Sequence, residues 1–279
     1  MGYPNRGLRR GVNLSEIEWI KVSPGTVWLG DNRGGLMHAG NGPRHQVQID
    51  SEFEISSKPI TFAQWKSLTG QAAAGENSDL PLNRLTPLMI EAGLIGVENS
   101  LRPPSEAEWA LADSQGAIIR GEVEVEVLSD RPPRGGYWGA PCDGRPWVPP
   151  VRAGGVSDYT AHVTRIWQGS STLRGATPRG VSRPKMGFRL VRTLDYKGDL
   201  KMPQAPRKSE LLIRESLFAI FIGIIPSFTW AHFNASPEYI SESWLNIAFG
   251  GIFFSLMTAL LWRPKTPSFR IMEGKMRRY

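Results

Sequence analysis

Two long stretches without charged residues constrain this sequence more than any other feature. Residues 216–233 and 244–262 contain no Asp, Glu, Lys or Arg. As helices, each would extend about 27 Å, close to the hydrocarbon thickness of a bilayer. A soluble protein can bury one such helix in its core, but two adjacent ones are uncommon. The sequence therefore predicts a pair of transmembrane helices.

The charges around these stretches predict their orientation. The connection, residues 234–243, carries two Glu and no Lys or Arg, whereas both outer flanks are rich in cations. These cations are Arg207, Lys208 and Arg214 before the first span, and Arg263, Lys265, Arg270, Lys275, Arg277 and Arg278 after the second. Because cytoplasmic segments are enriched in Lys and Arg, we expect both flanks and the domain before them to lie in the cytoplasm.

Small residues and one proline interrupt the apolar pattern of the spans. Pro226 removes a backbone donor from the first span, and Gly223, Gly250 and Gly251 allow helices to approach closely. The two spans are expected to pack on each other. The alternative is that a membrane-protein partner uses the same surface. The expected partners are therefore the lipid bilayer and, in that alternative, a membrane protein.

Charge and cysteine content exclude several classes of protein. The net charge is +7, but residues 1–196 hold 22 Lys and Arg against 20 Asp and Glu, so that part is nearly neutral. A nucleic-acid-binding domain concentrates cations on its folded surface, so nucleic acid is not an expected partner. Cys142 is the single cysteine, which excludes an internal disulfide and a cysteine-based zinc site.

The composition divides the chain into five predicted parts. They are an N-terminal arm (1–16), a globular domain (17–195), a linker (196–210), a transmembrane hairpin (211–262, with spans 216–233 and 244–262) and a basic cytoplasmic tail (263–279). Short alternating segments in the globular domain predict strands, while Thr61 and Ser105 are expected to begin helices. Pro and Gly dominate residues 131–155 and predict loop. The expected fold class is α+β and loop-rich.

Six short motifs follow one another between residues 17 and 192. They are PGTVWLG at 24–30, PRHQV at 43–47, PITFAQW at 59–65, LRPPSEAEW at 101–109, YWG at 137–139 and GFR at 187–189. In this order they resemble the formylglycine-generating enzyme, or sulfatase-modifying factor, family. The resemblance implies a domain with that family's C-type-lectin-like fold. Its fold-signature residues would be Gly30, His45, Thr61, Arg102, Glu106, Glu108, Trp109, Gly187, Phe188 and Arg189.

The oxidase chemistry of that family is not expected here. In the family, two closely placed cysteines bind copper(I) and activate oxygen, and its R-C-x-x-R segment aligns with residues 179–183. Gly180 then stands at one cysteine position, and the upstream cysteine has no counterpart. Because one thiolate cannot form a two-thiolate copper site, neither catalytic residues nor copper are predicted.

A second segment departs from the family at its calcium site. Residues 155–166 align with a family motif that helps to hold calcium, but His162 replaces an Asn and Arg165 replaces an acid. Calcium takes oxygen ligands and is repelled by a guanidinium, so no calcium is expected at this place.

Four arginines and a histidine are predicted to line what remains of the family's groove. They are Arg174, Arg179, Arg183, His162 and Arg165. A surface or ion-paired role is the alternative for these arginines. Glu106, Glu108 and Trp109 are expected to cap a helix and to pack.

The remaining candidates are a thiol and two further histidines. Cys142 is expected to be inert in an exposed turn. His38 and His45 could join His162 in a metal site, but a loop role for His38 and a structural role for His45 are favoured.

These observations favour a membrane-anchored pseudoenzyme that acts as a binding or assembly module on the cytoplasmic face. Fold alone does not fix function, and two alternatives stay open. One is an enzyme with altered chemistry in the family's groove. The other is a structural subunit of a larger membrane complex.

Overall fold

The computed structural model describes residues 16–33, 41–70, 85–95, 97, 101–131, 136–148, 161–192, 196, 201–261 and 266–279. These residues form a mixed α+β protein with three four-stranded sheets and five helices, as the sequence predicts for the fold class. The chain separates into two compact units. The first unit comprises Met1–Val27, Val47–Pro133 and Pro141–Leu200, and the second comprises Trp28–Gln46, Arg134–Ala140 and Lys201–Tyr279.

Two sheets belong to the first unit. The antiparallel one has the order β1-β4-β10-β5, with β1 at Trp19–Val22, β4 at Phe53–Ser56, β5 at Leu101–Arg102 and β10 at Val191–Arg192. The mixed one has the order β8-β7-β6-β9, with β6 at Val125–Val127, β7 at Ala161–Gln168, β8 at Ser171–Pro178 and β9 at Met186–Phe188. In the mixed sheet β6 and β9 run parallel, and the long β7–β8 hairpin is antiparallel.

Three short helices of the first unit begin at side chains that cap them. They are α1 at Phe62–Thr69, α2 at Pro87–Leu94 and α3 at Glu106–Ser114. Thr61, Thr86 and Ser105 accept the backbone N–H three residues later. Such caps satisfy donors that have no partner within the helix. The predicted helix starts at Thr61 and Ser105 are confirmed.

A glycine allows α2 to approach α1. The core contains Trp65 and Phe188, whose rings meet edge to face with 5.7 Å between centroids. A Cβ at Gly93 would lie 2.3 Å from the Trp65 ring, closer than any tolerated contact. Because the indole is rigid and buried, the absence of a side chain at Gly93 is a packing requirement.

The second unit contains two helices that are long and apolar enough to span a membrane. The first runs continuously through α4 at Lys208–Phe218, a π-helical segment at Ala219–Ile224 and α5 at Ile225–Asn234. The second, α6, covers Pro237–Leu261. The π-helical segment ends two residues before Pro226, which supplies no backbone N–H and disturbs the regular helical ladder. The first helix extends beyond its apolar stretch at both ends, and α6 begins seven residues before the second stretch.

Glycines bring the two long helices into contact. A Cβ at Gly223 would lie 2.1 Å from the Gly251 carbonyl oxygen and 3.3 Å from the Ser255 Cβ. A Cβ at Gly251 would in turn lie 2.8 Å from the Gly223 backbone. Close backbone approach through small residues is the usual packing mode of helices in a bilayer. The expected packing of the two spans on each other is present.

The C-terminal tail contains a β-hairpin. Its strands are β11 at Phe269–Met272 and β12 at Lys275–Arg278, and with β2 at Gly25–Leu29 and β3 at His45–Ile49 they form a sheet of order β12-β11-β3-β2. Phe269 pairs with His45 in parallel, and its N–H donates to the Arg44 carbonyl. The Phe269 ring also meets Trp138 edge to face. The tail is thus a regular element, which its basic composition did not predict.

Candidate functional site

Residues 179–183 follow β8 and lie at the surface. Gly180 is exposed, and a Cβ built on it would meet no atom within 4 Å. The neighbouring Arg179 carbonyl accepts the N–H of Leu88 at 3.0 Å, which fixes the start of α2 against this segment. The position therefore has room for a side chain, but it offers no reactive group.

Two arginines and a histidine lie against Glu91 of α2, beside that segment. Arg179 lies 2.9 Å from Oε2, while Arg131 and the Nε2 of His162 lie 3.4 and 3.3 Å from Oε1. Burial raises the pKa of Glu91, but His162, Arg131 and Arg179 together lower it below its ordinary value of 4.5. This carboxylate stays charged and is neutralised by its neighbours.

The two ring nitrogens of His162 have different surroundings. Nδ1 lies 2.9 Å from the Leu128 carbonyl, which can only accept, so Nδ1 carries a proton. Nε2 faces Glu91 at 3.3 Å but makes no hydrogen bond of good geometry within the described part of the chain. His162 is 2% exposed. Its role in the structure is to bind Leu128 and face Glu91 from within the core.

Glu106 pairs with two further cations of the predicted groove. Arg165 and Arg174 each lie 3.1 Å from one of its carboxylate oxygens, and the Glu106 side chain is 4% exposed. The Arg165 guanidinium also stacks over the Trp109 ring at 5.3 Å. Arg165 is thus bound to an acid of this chain.

Asp130 connects this pair to the irregular loop that follows. Its two oxygens accept the N–H of Glu106 at 2.6 Å and of Trp147 at 2.8 Å. Burial and the nearby Glu106 charge raise the pKa of Asp130 to about 6, although both backbone N–H groups oppose the rise. Asp130 therefore titrates close to physiological pH.

Opposite pKa shifts predict a stability maximum in mildly acidic solution. A raised pKa at Asp130 means that protonation favours the folded state, so stability is lost as pH rises from 3.8 through about 6. Lowered pKa values at Glu91 and Glu108 have the reverse sign, and their stabilisation is lost as pH falls below 4.5. We expect the melting temperature to rise between pH 7.5 and 5 and to fall below pH 4.5.

Asp130→Asn tests this assignment, measured by tryptophan fluorescence melts of the detergent-solubilised protein. In the variant, the melting temperature should no longer rise between pH 7.5 and 5. It should still fall below pH 4.5, because Glu91 and Glu108 remain. It also loses one acceptor, so its melting temperature should be lower at every pH, with a cost of about 1–3 kcal/mol for an unsatisfied buried donor. A rise that persists in Asp130→Asn contradicts the assignment.

Two more acids are neutralised deeper in the first unit. Glu126 receives the Arg189 guanidinium through two oxygens at 2.7 and 2.8 Å, together with the indole N–H groups of Trp109 and Trp167. Glu108 receives Arg102 through two bonds of 2.8 Å and the hydroxyl of Tyr196 at 3.0 Å. Arg102, Glu108 and Arg189 are thus held in ion pairs within the first unit.

The other predicted residues are placed as follows. Arg183 donates to the Ala176 carbonyl at 3.0 Å. His45 is buried, with Nδ1 3.0 Å from the Pro43 carbonyl and its ring 4.9 Å from that of Tyr137. His38 lies outside the described residues. In the described ranges, no group of three or more His, Cys, Asp or Glu side chains has the arrangement of a metal site.

The expectation of an exposed Cys142 is wrong. Cys142 is 1% exposed. Its backbone carbonyl accepts the N–H of Gln48 on β3. The following Gly144 lies so close to Ile49 that a Cβ there would be 2.8 Å from the isoleucine side chain. The turn is packed onto a strand, which buries the thiol.

Three exposed apolar side chains lie on α2 and on the residue that follows Gly180. Leu88, Met89 and Val181 are 43, 49 and 44% exposed, and we call these three the α2 surface. The Leu88–Arg179 hydrogen bond and the bond from Val181 N–H to Pro178 hold their backbones at the end of β8. Sequence reasoning missed Glu91 and the α2 surface, because α2 lies 88 residues from Arg179 and its pairing is purely tertiary.

Solved structures align with about two thirds of this chain at low sequence identity. PvdO from Pseudomonas aeruginosa aligns with a TM-score of 0.49 and 14% identity over 69% of this chain and all of its own. Treponema denticola variable protein 1 aligns at 0.42 and 15%, over 66% of this chain and 97% of its own. CarF aligns at 0.36 and 16%, over 65% of this chain and all of its own.

No protein-family model and no curated protein matches the sequence. At identities of 14 to 16%, function has to be argued from the residues of this chain.

Proposed function

We propose that this protein is a membrane-anchored, non-catalytic binding module with a formylglycine-generating-enzyme-like domain on the cytoplasmic face. The observation that carries the proposal is the α2 surface. Where the resembling family has a reactive cysteine, this chain has an exposed glycine followed by the exposed Val181. The preceding Arg179 binds the backbone of α2 at Leu88, where Leu88 and Met89 are exposed. Adjacent apolar groups on a folded surface favour contact with another protein. The partner would present an apolar segment.

The neighbouring charges support binding over catalysis. Glu91 neutralises Arg179, and Glu106 neutralises Arg165 and Arg174. An arginine that already holds a buried or partly buried carboxylate would have to break that bond before it could receive a charged substrate, and leaving the carboxylate unpaired is costly. The groove arginines therefore stabilise the domain through their ion pairs. The α2 surface is then the part that remains accessible to a partner.

The anchor is the helical hairpin. Few of the residues in its apolar windows are buried, so the apolar side chains of both helices face outward, as they would towards lipid. The cationic flanks on both sides of the hairpin support a cytoplasmic location of the domain and tail. A second candidate function, a structural subunit of a membrane complex, is favoured by the same outward-facing side chains.

Photo-crosslinking tests the binding role. A benzophenone amino acid at Met89 should give a discrete adduct in cells, and Val181→Asp should abolish it, because an unpaired charge at an apolar contact is costly. The matched control is the same photoreactive group at Ile119, which is 42% exposed on another part of the first unit and should give no adduct. No adduct from Met89, or an equal one from Ile119, contradicts the proposal.

A direct assay tests the loss of oxidase chemistry. The protein is incubated with a sulfatase-type cysteine peptide, copper, reductant and oxygen, and the peptide is analysed by mass spectrometry. The peptide should stay unchanged, because oxygen activation at copper(I) needs two thiolate ligands. Cys142→Ser is the control, since Cys142 is the single thiol and is buried. Formylglycine formation that disappears in Cys142→Ser contradicts the proposal.

A further inference from the structure

The terminal hairpin sorts its side chains onto two faces. Arg270 lies directly opposite Arg277, and Met272 lies opposite Lys275, so these four side chains share one face. All four are exposed. Phe269, Ile271 and Met276 are partly buried on the other face. We call Arg270, Met272, Lys275 and Arg277 the basic face.

Like charges oppose each other on the basic face. A directly opposed pair of cations destabilises a β-hairpin unless an anion neutralises it. Arg277 has an ion pair with Glu273 at 3.0 Å, but the Glu273 side chain is 81% exposed and contributes little there. Among the described residues, this is the one carboxylate paired with the three cations. The face therefore retains an excess of positive charge that suits an anionic ligand.

The connection to α6 keeps the basic face near the membrane. Helix α6 ends at Leu261 and β11 begins at Phe269, with residues 262–268 between them. Even fully extended, those residues reach about 25 Å. The two paired strands present the three cations and Met272 on one face, and Met272, opposite Lys275, is 44% exposed. A flat cationic surface with an apolar side chain is complementary to a layer of acidic head groups.

We propose that the basic face binds anionic lipid head groups of the leaflet next to the second span. This inference rests on the proposed membrane anchor. Lipid contact neutralises the opposed arginines and holds the hairpin, and with it β3, at the bilayer surface. Three cations at an acidic surface favour the bound state by roughly a hundredfold in the ratio of bound to free hairpin.

The test places a fluorescent label on Met272→Cys in the full chain, reconstituted into vesicles. The native Cys142 is buried, so labelling is directed to position 272. In vesicles that contain phosphatidylserine, the label should be quenched by lipids carrying a head-group quencher, and high salt should reverse the quenching. In vesicles of phosphatidylcholine alone, the label should stay unquenched.

A charge-deleted variant and a matched control complete the test. Arg270→Gln/Lys275→Gln/Arg277→Gln should abolish the quenching, whereas Lys21→Gln/Lys66→Gln/Lys185→Gln, which removes three exposed cations of the first unit, should leave it unchanged. The charge-deleted hairpin loses a like-charge pair, so the variant should melt no lower than its parent. Equal quenching in both vesicle types, or in both variants, overturns the inference.

Two further outcomes separate the possible failures. If alkaline carbonate strips the protein from vesicles, the membrane anchor itself is wrong. If the protein stays embedded but phosphatidylserine has no effect on the label, the anchor stands and the lipid contact is wrong. Inorganic phosphate that competes away the quenching at low millimolar concentration would assign the basic face to a soluble anion instead and overturn the inference.

Discussion

Arg189→Met should be among the most destabilising single substitutions in the first unit. Arg189 is fully buried and forms two bonds to Glu126, and it also donates to the carbonyls of Ser57 and Ile119. Methionine fills much of the space but leaves the Glu126 charge buried without its cation. Removing one partner of a buried ion pair costs about 3–5 kcal/mol. Urea unfolding of the detergent-solubilised protein, followed by tryptophan fluorescence, measures the loss.

Two controls isolate the buried charge as the cause. Arg192→Met removes a half-exposed arginine that lies 3.4 Å from Glu54 and stacks over Trp19, and it should cost about 1 kcal/mol. Adding Glu126→Gln to Arg189→Met should restore part of the lost stability, because no charge then stays unpaired. Equal losses from Arg189→Met and Arg192→Met would show that the pair does not stabilise the domain.

Gly223→Leu should separate the two long helices. A Cβ at this position would lie 2.1 Å from the Gly251 carbonyl oxygen, and two backbones cannot yield as a flexible side chain does. Overpacking typically costs about 1–3 kcal/mol, and a clash with backbone belongs at the upper end. SDS-driven unfolding in mixed micelles, followed through the fluorescence of Trp230 and Trp244, should occur at lower SDS fractions than in the parent protein.

Gly250→Leu is the matched control for this prediction. Gly250 precedes Gly251 on the same helix, but a Cβ there would meet no atom within 4 Å. Helix propensity favours leucine over glycine at both positions, so a difference between the two variants reports packing. The same shift in both would mean that the Gly223–Gly251 contact does not hold the hairpin together.

Local signals were sufficient for the helix starts and for the long helices. Thr61 and Ser105 have hydrogen-bonding side chains followed three residues later by Gln64 and Glu108, which complete capping boxes. The two long helices were also predictable without tertiary information, because each contains a long stretch of residues without charge. These features depend on residues within one helix, so the sequence contains everything that defines them.

The terminal hairpin could have been predicted from the sequence, but the basic composition of the tail drew attention away from its strand pattern. Phe269 and Ile271 alternate with polar or exposed residues, and Glu273-Gly274 forms the turn with φ values of 50° and 75°. Such a two-residue turn ending in Gly favours a tight hairpin. Its pairing with β3 was beyond local reasoning, because Phe269 and His45 are far apart along the chain.

The candidate site depended on tertiary contacts throughout. Arg179 and Glu91 are brought together from positions 88 residues apart, and Arg174 and Glu106 from positions 68 apart. Ion pairing of the groove arginines was one of the two alternatives that the sequence left open. Cys142 was misjudged because Pro and Gly content predicts irregular backbone but says nothing about burial, and here the loop packs onto β3.

Cysteine labelling in intact cells tests the central claim most directly. Glu238 in the first turn of α6 and Glu273 in the terminal hairpin are both exposed, while the native Cys142 is buried and should stay silent. A membrane-impermeant maleimide should label Glu238→Cys on intact cells and should label Glu273→Cys only after the membrane is opened. Labelling of Glu273→Cys on intact cells would place the tail outside and contradict a cytoplasmic, membrane-anchored module.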